Sequence, residues 1–260
     1  MRTPSGHGSI ASGRIDRRRA LALAGAGLLS AALPARVCAA EETTARFVVL
    51  REGEKIGDGL VAYARERELL RVRVDMEAKV DFGFITVFRY RHQSEELWRD
   101  GQLVGLSGTA HDDGKDYEMT ARPTAEGLAV EGSKGNFVAP ADVLPLSYWH
   151  PDTVKRPTLL DASKGKLYHV AMAGGTTETL DTGTSRVLAR RWESSGDLKA
   201  TLWYDTLGAW VRTSLVKKGS VIDLVLIDPP ILTSAMVAPA VVDTWAGNVV
   251  PTTLASNPGN

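Results

Sequence analysis

Cysteine is nearly absent from this sequence. Cys38 is the one cysteine in 260 residues, which excludes a disulfide framework and a cysteine-rich metal site. Net charge is absent as well, since 31 basic side chains balance 31 acidic ones, whereas nucleic-acid-binding proteins are typically strongly basic. No two histidines stand at metal-ligand spacing. The remaining composition, 43% hydrophobic and 24% charged, is that of an ordinary globular chain. We predict no metal, no cofactor and no nucleic-acid partner.

The charges are unevenly distributed along the chain. Residues 1–40 hold six arginines and one acid, Asp16, and subtracting these from the totals leaves 25 basic and 30 acidic side chains. Residues 41–260 therefore carry a net charge of about −5. A mildly acidic body exerts no long-range attraction on nucleic acid or on anionic lipid.

Residues 1–40 have the organisation of an export signal. Arg17-Arg18-Arg19 ends a polar start, and Ala20 to Leu33 contain only Ala, Leu, Gly and Ser. As a helix this run would span roughly 21 Å, too short for a hydrocarbon core of about 30 Å. Small residues lead up to Ala39 and Ala40, and cleavage after either one would remove the segment. We predict a cleaved signal peptide and no transmembrane span in the mature chain.

The segment from Asp16 to Leu21 resembles a signal of the twin-arginine type, in which paired arginines stand just ahead of a weakly apolar, alanine- and glycine-rich run. The resemblance implies the twin-arginine translocase as a partner during export, and a periplasmic or secreted location. Cys38 is not predicted to be lipidated, because Arg36 and Val37 before it do not resemble a lipobox.

From Arg46 to about Ile227 the sequence alternates between apolar and polar residues, the two-residue period of a β-strand. In Leu70 to Val80, apolar side chains fall on one face and charged side chains on the other. A helix would scatter these charges around its circumference, so this segment is predicted to be a half-buried strand. Turn residues such as Asp100-Gly101 separate the runs, many of them at intervals of about 8–12 residues, as in an antiparallel meander.

These runs predict an all-β fold with minor helix: one large curved antiparallel sheet of on the order of eleven to thirteen strands, open or partly closed into a barrel. The proline-rich segment Pro140 to Pro157 interrupts the pattern, and its apolar residues favour a plug over a linker. Within it, Pro140 to Leu144 suits one helical turn. We predict a single domain over 41–228 and a poorly ordered tail over 229–260.

Two histidines stand near acidic residues and are candidates for catalysis. His150 and Asp152 lie in the proline-rich segment, where an imidazole close to a carboxylate suits a general base. His111 and Asp112 begin a sequence that fits a hairpin corner equally well. Neither a nucleophile elbow nor a phosphate-binding loop is present. The adjacent acids Glu95-Glu96 are interpreted as exposed charges.

Aromatic residues offer an alternative kind of site. The sequence has six tryptophans, and on a curved sheet such residues either pack in the core or line an apolar groove. In the second case Arg89 and Arg91 would meet a ligand headgroup. The candidate aromatic ligand-binding residues are Tyr148, Trp149, Trp203 and Trp210.

Three segments resemble a family of exported bacterial proteins classified only as a domain of unknown function: Ile56-Gly57, Glu95 to Gly101, and Trp203 to Val211. The resemblance covers about residues 45–227, and its motifs are strand–turn–strand units. It implies a β fold and supplies no catalytic residues. A large bent sheet is also similar, more loosely, to periplasmic lipoprotein carriers, whose concave apolar face holds acyl chains.

Three functional hypotheses follow. The first is non-enzymatic binding of a hydrophobic small molecule, a lipid or a partner segment in a sheet-lined groove. The alternative is a hydrolase-like enzyme that uses His150 or His111 with a nearby carboxylate. The third is an envelope scaffold that pairs through an exposed edge strand.

Overall fold

The computed structural model describes residues 41–230, which form β-strands with one short 3-10 helix. The predicted signal peptide and the predicted tail from residue 231 onward lie outside the described residues. Within residues 41–230 no helix has the length and apolar character needed to cross a bilayer.

The strands and the helix have the following bounds. In chain order they are β1 (Glu41–Arg51), β2 (Glu54–Glu66), β3 (Leu69–Phe82), β4 (Ile85–Arg99), β5 (Gln102–Asp112), β6 (Lys115–Thr124), β7 (Gly127–Gly132), β8 (Phe137–Ala139), β9 (Leu144–Pro145), the 3-10 helix (Pro151–Lys155), β10 (Thr158–Asp161), β11 (Lys166–Asp181), β12 (Arg186–Gly196), β13 (Ala200–Asp205), β14 (Trp210–Lys217) and β15 (Ser220–Asp228).

All fifteen strands belong to one sheet, ordered β8-β7-β6-β5-β4-β3-β2-β1-β15-β14-β13-β12-β11-β10-β9. The meander therefore starts in the middle of the sheet, where β1 pairs with β15, and its edges are β8 and β9. Neighbours are antiparallel apart from the β9–β10 pair. The predicted all-β meander in one large, open, curved sheet is confirmed. The strand count exceeds the prediction because β8 and β9, at three and two residues, are too short to show alternation.

The predicted alternation in β3 matches the burial of its side chains. Leu70, Val72 and Val74 are at most 4% exposed and belong to the main core. On the opposite face Arg71 and Arg73 of β3 reach Glu95 of β4, at 2.6 and 2.9 Å. One face of this part of the sheet is dry and the other is charged.

Strand β14 departs from strict alternation at its start. Tyr204 pairs with Trp210 while Trp203 pairs with Arg212, so Val211 is an extra residue in β14. A bulge shifts the side chains that follow it to the other face. Trp210 consequently shares the interior with Thr213, whose hydroxyl accepts a hydrogen bond from the indole nitrogen at 2.9 Å. A simple alternation would place those two side chains on opposite faces, and for this strand it is wrong.

The proline-rich segment forms the predicted plug. Its Leu144 and Tyr148 are buried in the main core, and the hydroxyl of Tyr204 donates to the backbone oxygen of Tyr148 at 2.8 Å. The predicted helical turn from Pro140 is a single hydrogen-bonded turn, since the chain then extends so that Leu144 pairs with Leu159 of β10. Helical residues come later, in the 3-10 helix.

The curved sheet brings β5 and β6 against the turn between β10 and β11. A Cβ atom at Gly108 of β5 would lie 1.9 Å from the carbonyl oxygen of Ala162, and one at Gly165 would lie 3.1 Å from the Cβ of Met119 in β6. Strands far apart in the sheet order therefore pack closely, and the core lies between them.

Candidate functional site

Aromatic side chains occupy the inner face of the sheet. Trp149 of the plug packs edge-on against Tyr63 and Trp98, with ring centroids 5.6 and 5.5 Å apart. Tyr148 lies 5.4 Å from Trp210. The opening beside Trp98 and Trp149 measures about 60 Å³, well below the roughly 300–1,000 Å³ of typical ligand pockets. The structure therefore places Tyr148, Trp149 and Trp210 in the core instead of around an apolar groove.

Glu96 is a fully buried carboxylate within this aromatic cluster. Its Oε2 accepts hydrogen bonds from the indole nitrogens of Trp98, at 2.9 Å, and Trp149, at 2.8 Å. Burial raises the pKa of Glu96, and the hydrogen bonds to its carboxylate oppose this shift only in part. The carboxylate thereby joins β4 to the plug, so the interpretation of Glu96 as an exposed charge is wrong.

The alternation of buried and exposed side chains in β4 would have identified Glu96 as buried. His92, Ser94 and Trp98, which share its parity, are all buried, whereas Glu95 lies on the outer face. Two adjacent acids on a half-buried strand face opposite sides of the sheet. One member of Glu95-Glu96 is therefore required to point inward.

His150 and Asp152 lie at the start of the 3-10 helix. The Nδ1 atom of His150 accepts a hydrogen bond from the backbone nitrogen of Asp152 at 3.2 Å, while the carboxylate of Asp152 pairs with Lys155 at 2.7 Å. The imidazole stacks on Trp98, and its burial lowers the pKa of His150 to about 4. His150 caps the helix, and the two residues lack the imidazole–carboxylate contact that general-base catalysis would use.

His111 and Asp112 lie at the corner of the β5–β6 hairpin. The Nδ1 atom of His111 is 2.7 Å from a carboxylate oxygen of Asp116, and its Nε2 atom is 3.3 Å from the backbone nitrogen of Gly114. Asp112 instead accepts from Lys164 at 2.6 Å. Both imidazole nitrogens are thus engaged within the turn, as the hairpin interpretation expects.

A groove of about 800 Å³ crosses the outer face of the sheet from β1 to β7. We call it the outer groove. Its ionisable lining side chains alternate with buried positions of the same strands, so it lies on the charged side of the sheet. Six ionisable side chains line it: Glu42, Arg73, Asp75, Glu95, Glu118 and Glu131.

The carboxylates that line the outer groove are only partly paired. Arg71 and Arg73 both pair with Glu95, Arg91 pairs with Asp75 at 3.8 Å, and Arg122 pairs with Glu131 at 2.9 Å. No salt bridge joins Glu42 or Glu118 to a basic side chain in the described part of the chain. The groove therefore presents carboxylates to whatever enters it.

The remaining candidate ligand residues lie outside the main core. Arg89 and Arg91 line a second hollow of about 490 Å³. Trp203 has two arginine guanidinium groups 5.9 and 5.2 Å from its ring centroid. The predicted ligand-binding residues do not converge. Tyr148, Trp149 and Trp210 pack in the main core, Trp203 is buried in a small second cluster with Ala189 and Val211, and Arg89 and Arg91 lie on the outer face.

The class of the protein is therefore an all-β protein built on one open, curved sheet with an internal plug, and β8 and β9 are the edge strands of that sheet. Residues 47–227 match the family described as a domain of unknown function (DUF6134), and the chain belongs to this family. The predicted resemblance to such a family is confirmed.

One solved structure similar to the chain is a β-barrel-like protein of domain of unknown function DUF1849 from Brucella abortus. The two share 11% sequence identity, the alignment covers 73% of this chain and 96% of that one, and the TM-score is 0.49. No match to a curated protein was found. The likeness to lipoprotein carriers and the twin-arginine character of the N-terminal segment stay predictions.

Proposed function

We propose that the protein is exported to the periplasm or beyond, and that it binds an extended, positively charged partner segment in the outer groove without catalysing a reaction. The observation that carries this proposal is the groove, whose volume of about 800 Å³ and carboxylate-rich lining suit a ligand larger than a metal ion.

The dimensions of the outer groove suit a short extended peptide. From β1 to β7 it crosses six inter-strand spacings of about 4.8 Å, or roughly 29 Å in all. A peptide extended at about 3.4 Å per residue covers that distance with roughly eight residues. The hydroxyls of Ser107, Thr109 and Thr120 and the amide of Gln93 line the groove and offer hydrogen bonds to a peptide backbone.

The charge of the outer groove favours basic side chains in the partner. Glu42 and Glu118, which lack a salt bridge within the described residues, would each gain one on binding. A hydrophobic small molecule or a lipid has less support, because the plug fills the inner face that would receive it.

Binding can be measured by fluorescence anisotropy with a labelled peptide of about eight residues that alternates Lys and Ser, against a matched Glu/Ser peptide. We expect the lysine peptide to bind more tightly and to weaken with salt. The double variant Glu42→Gln/Glu118→Gln should reduce affinity by roughly five- to tenfold, since each exposed ion pair is worth up to about 1 kcal/mol.

The matched control is Glu66→Gln/Glu126→Gln, which removes two exposed carboxylates outside the groove lining. Equal affinity for the two peptides, or equal weakening by the two double variants, would contradict the proposal.

Export is tested separately by replacing Arg17, Arg18 and Arg19 with lysine and following the protein by cell fractionation. We expect the precursor to accumulate in the cytoplasm, because lysine does not substitute for the paired arginines of a twin-arginine signal. Arg14→Lys is the control. Unchanged export of the triple variant would refute the twin-arginine route.

The two other hypotheses gain no comparable observation. The histidines of the hydrolase alternative are a helix cap and a hairpin corner. The scaffold alternative would use edge strands β8 and β9, which at three and two residues give little backbone for strand addition.

A further inference from the structure

The β3–β4 hairpin extends beyond the strands on either side of it. The pairing of β2 with β3 reaches Ala78, and the pairing of β5 with β4 begins at Tyr90. Residues 79–88 therefore form a two-stranded projection that no other described strand flanks. From residue 79 to the turn at Gly83 it measures about five residues, or roughly 16 Å.

The tip of this projection is apolar and exposed. Phe84 is fully exposed, and Ile85 and Val87 are 67% and 52% exposed. A cluster of apolar side chains exposed to water commonly marks a surface that contacts another molecule. The turn between β13 and β14 offers a useful contrast, since its one large apolar residue is Leu207, which is 81% exposed.

Basic side chains surround the stem of the hairpin. Lys217 and Lys218, at the β14–β15 turn, place their Nζ atoms 5.8 and 5.2 Å from the ring centroid of Phe88. Lys79 and Arg89 stand on the stem itself, where they are paired in register. The apolar tip is therefore followed, one step closer to the body, by a band of positive charge.

Carboxylates offset only part of this charge. Asp81 pairs with Lys79 at 2.9 Å, and Asp113 pairs with Lys218 at 3.1 Å. Asp112 pairs with Lys164 at 2.6 Å. Asp161 also lies close to Lys164 and Lys217, so four carboxylates meet five basic side chains, a local surplus of one positive charge on a body that carries about −5 overall. The basic side chains counted are Lys79, Arg89, Lys164, Lys217 and Lys218.

Lysine is concentrated at this end of the whole sheet. Residues 41–230 contain ten lysines, and nine of them stand at or near turns on the side from which the β3–β4 hairpin projects. The exception is Lys155 in the 3-10 helix. The two ends of the sheet are therefore chemically different.

We propose that the β3–β4 hairpin docks the protein on the surface of an anionic lipid bilayer. Phe84, Ile85 and Val87 enter the headgroup region, where their apolar surface leaves water. Lys217, Lys218 and the stem residues then lie at the level of the lipid phosphates, where each basic side chain is attracted to the anionic surface. This docking is independent of the outer groove.

The shape of the tip favours a bilayer over a second protein. A stable protein interface buries about 800 Å² per partner, more than three side chains on a narrow projection supply. A fluid headgroup layer closes around a convex tip without a complementary groove. The negative net charge does not oppose this contact strongly, since charges beyond roughly 10 Å are screened at moderate salt.

The test is co-sedimentation of the protein, purified as the cell exports it, with vesicles of phosphatidylcholine containing phosphatidylglycerol, against vesicles of phosphatidylcholine alone. We expect stronger binding to the anionic vesicles. The variant Phe84→Ser/Ile85→Ser should lower the partition coefficient by roughly tenfold, because it removes most of the apolar surface of the tip. Both side chains are exposed, so the fold should be unaffected.

The matched control is Leu207→Ser, which removes an exposed apolar side chain from a turn at the other end of the sheet and should leave binding unchanged. The variant Arg89→Gln/Lys218→Gln should lower binding to anionic vesicles and leave binding to neutral vesicles unaltered. Any N-terminal segment that remains is common to all variants and cancels in the comparison.

Insertion is read directly from tryptophan introduced at the tip. Phe84→Trp should shift its emission to the blue on anionic vesicles and be quenched by brominated acyl chains, whereas Leu207→Trp should do neither. The proposal is overturned if wild type does not bind anionic vesicles, or if Phe84→Ser/Ile85→Ser binds as wild type does. It is also overturned if that variant abolishes self-association without any vesicle binding, because the tip would then contact a second copy.

Discussion

Glu96 shows how one residue joins two parts of the molecule. An ionised carboxylate in a dry interior is costly, and this one is compensated by two indole N–H donors from different segments, Trp98 on β4 and Trp149 in the plug. The indoles in turn need an acceptor, because a buried donor without a partner is also costly. The carboxylate oxygen satisfies both and fixes the position of the plug.

At this scale we predict opposite effects for two substitutions of Glu96. Glu96→Gln keeps an oxygen acceptor and removes the buried charge, so the free energy of unfolding at pH 8 should be unchanged or higher by about 1 kcal/mol. Glu96→Ala leaves two buried indole N–H groups without an acceptor and opens a cavity, and should cost roughly 3 kcal/mol. Urea denaturation followed by tryptophan fluorescence measures both. A larger loss for Gln than for Ala would show that the negative charge itself is required.

Among the elements, β5 and the β10–β11 turn define the closest packing between distant parts of the sheet. Gly108 is the residue that permits it, since a Cβ atom there would collide with a backbone oxygen. Gly105, on the same strand, would place its Cβ 3.3 Å or more from the side chain of Leu97, which can shift. The two glycines therefore provide a matched pair for testing whether this approach is essential.

We predict that Gly108→Ala destabilises the protein by about 3 kcal/mol, because the backbone of the turn has to move away from β5. Gly105→Ala should change the free energy of unfolding by less than about 1 kcal/mol, because only a side chain has to adjust. Urea unfolding midpoints give both values, provided the m value (the dependence of the unfolding free energy on urea concentration) is the same for the two variants. Equal midpoints for the two variants would show that the turn at Ala162 is not held against β5.

The elements were predictable wherever a half-buried strand alternates regularly. Val72 and Val74 were placed correctly because each strand of this length offers several repeats of the pattern. The two-residue strand Leu144–Pro145 is too short to repeat the pattern. In β14 the bulge at Val211 interrupts the two-residue alternation after the first residue of the strand. Local sequence does not encode a bulge of this kind, which depends on the register of the partner strand.

For the whole molecule, the sequence predicted the sheet and its plug, but neither the β1–β15 pairing nor the position of the site. The sequence left open whether the aromatic residues pack in the core or line a groove, and in the structure Trp149 of the plug packs against Trp98. Which face of the sheet is covered depends on which other segments of the chain pack against it, and that is a property of the tertiary structure. The hollow that carries the proposed function is instead lined by residues such as Glu118, whose pattern is that of any solvated strand.

Two buried histidines make the stability of the whole molecule depend on pH. Burial lowers the pKa of His92, and it lowers the pKa of His150 to about 4. Between the unfolded pKa of about 6.5 and these folded values, the unfolded chain binds protons that the native state does not. The stabilisation is complete above about pH 6.5 and is lost as the pH falls, so His150 alone accounts for roughly 2 kcal/mol by pH 5.

Glu96 changes the free energy of unfolding with pH in the direction opposite to the two histidines. Its pKa is raised by burial, so the folded state takes up a proton first and the free energy of unfolding gains from acidification. Glu96→Gln should therefore steepen the loss of stability between pH 7 and 5. His150→Asn, which retains a capping acceptor, should make it shallower, and the exposed His169→Gln should leave it unaltered. Urea unfolding across this range measures the slopes, and a slope for Glu96→Gln no steeper than that of wild type would mean that Glu96 stays ionised in the folded protein over this range.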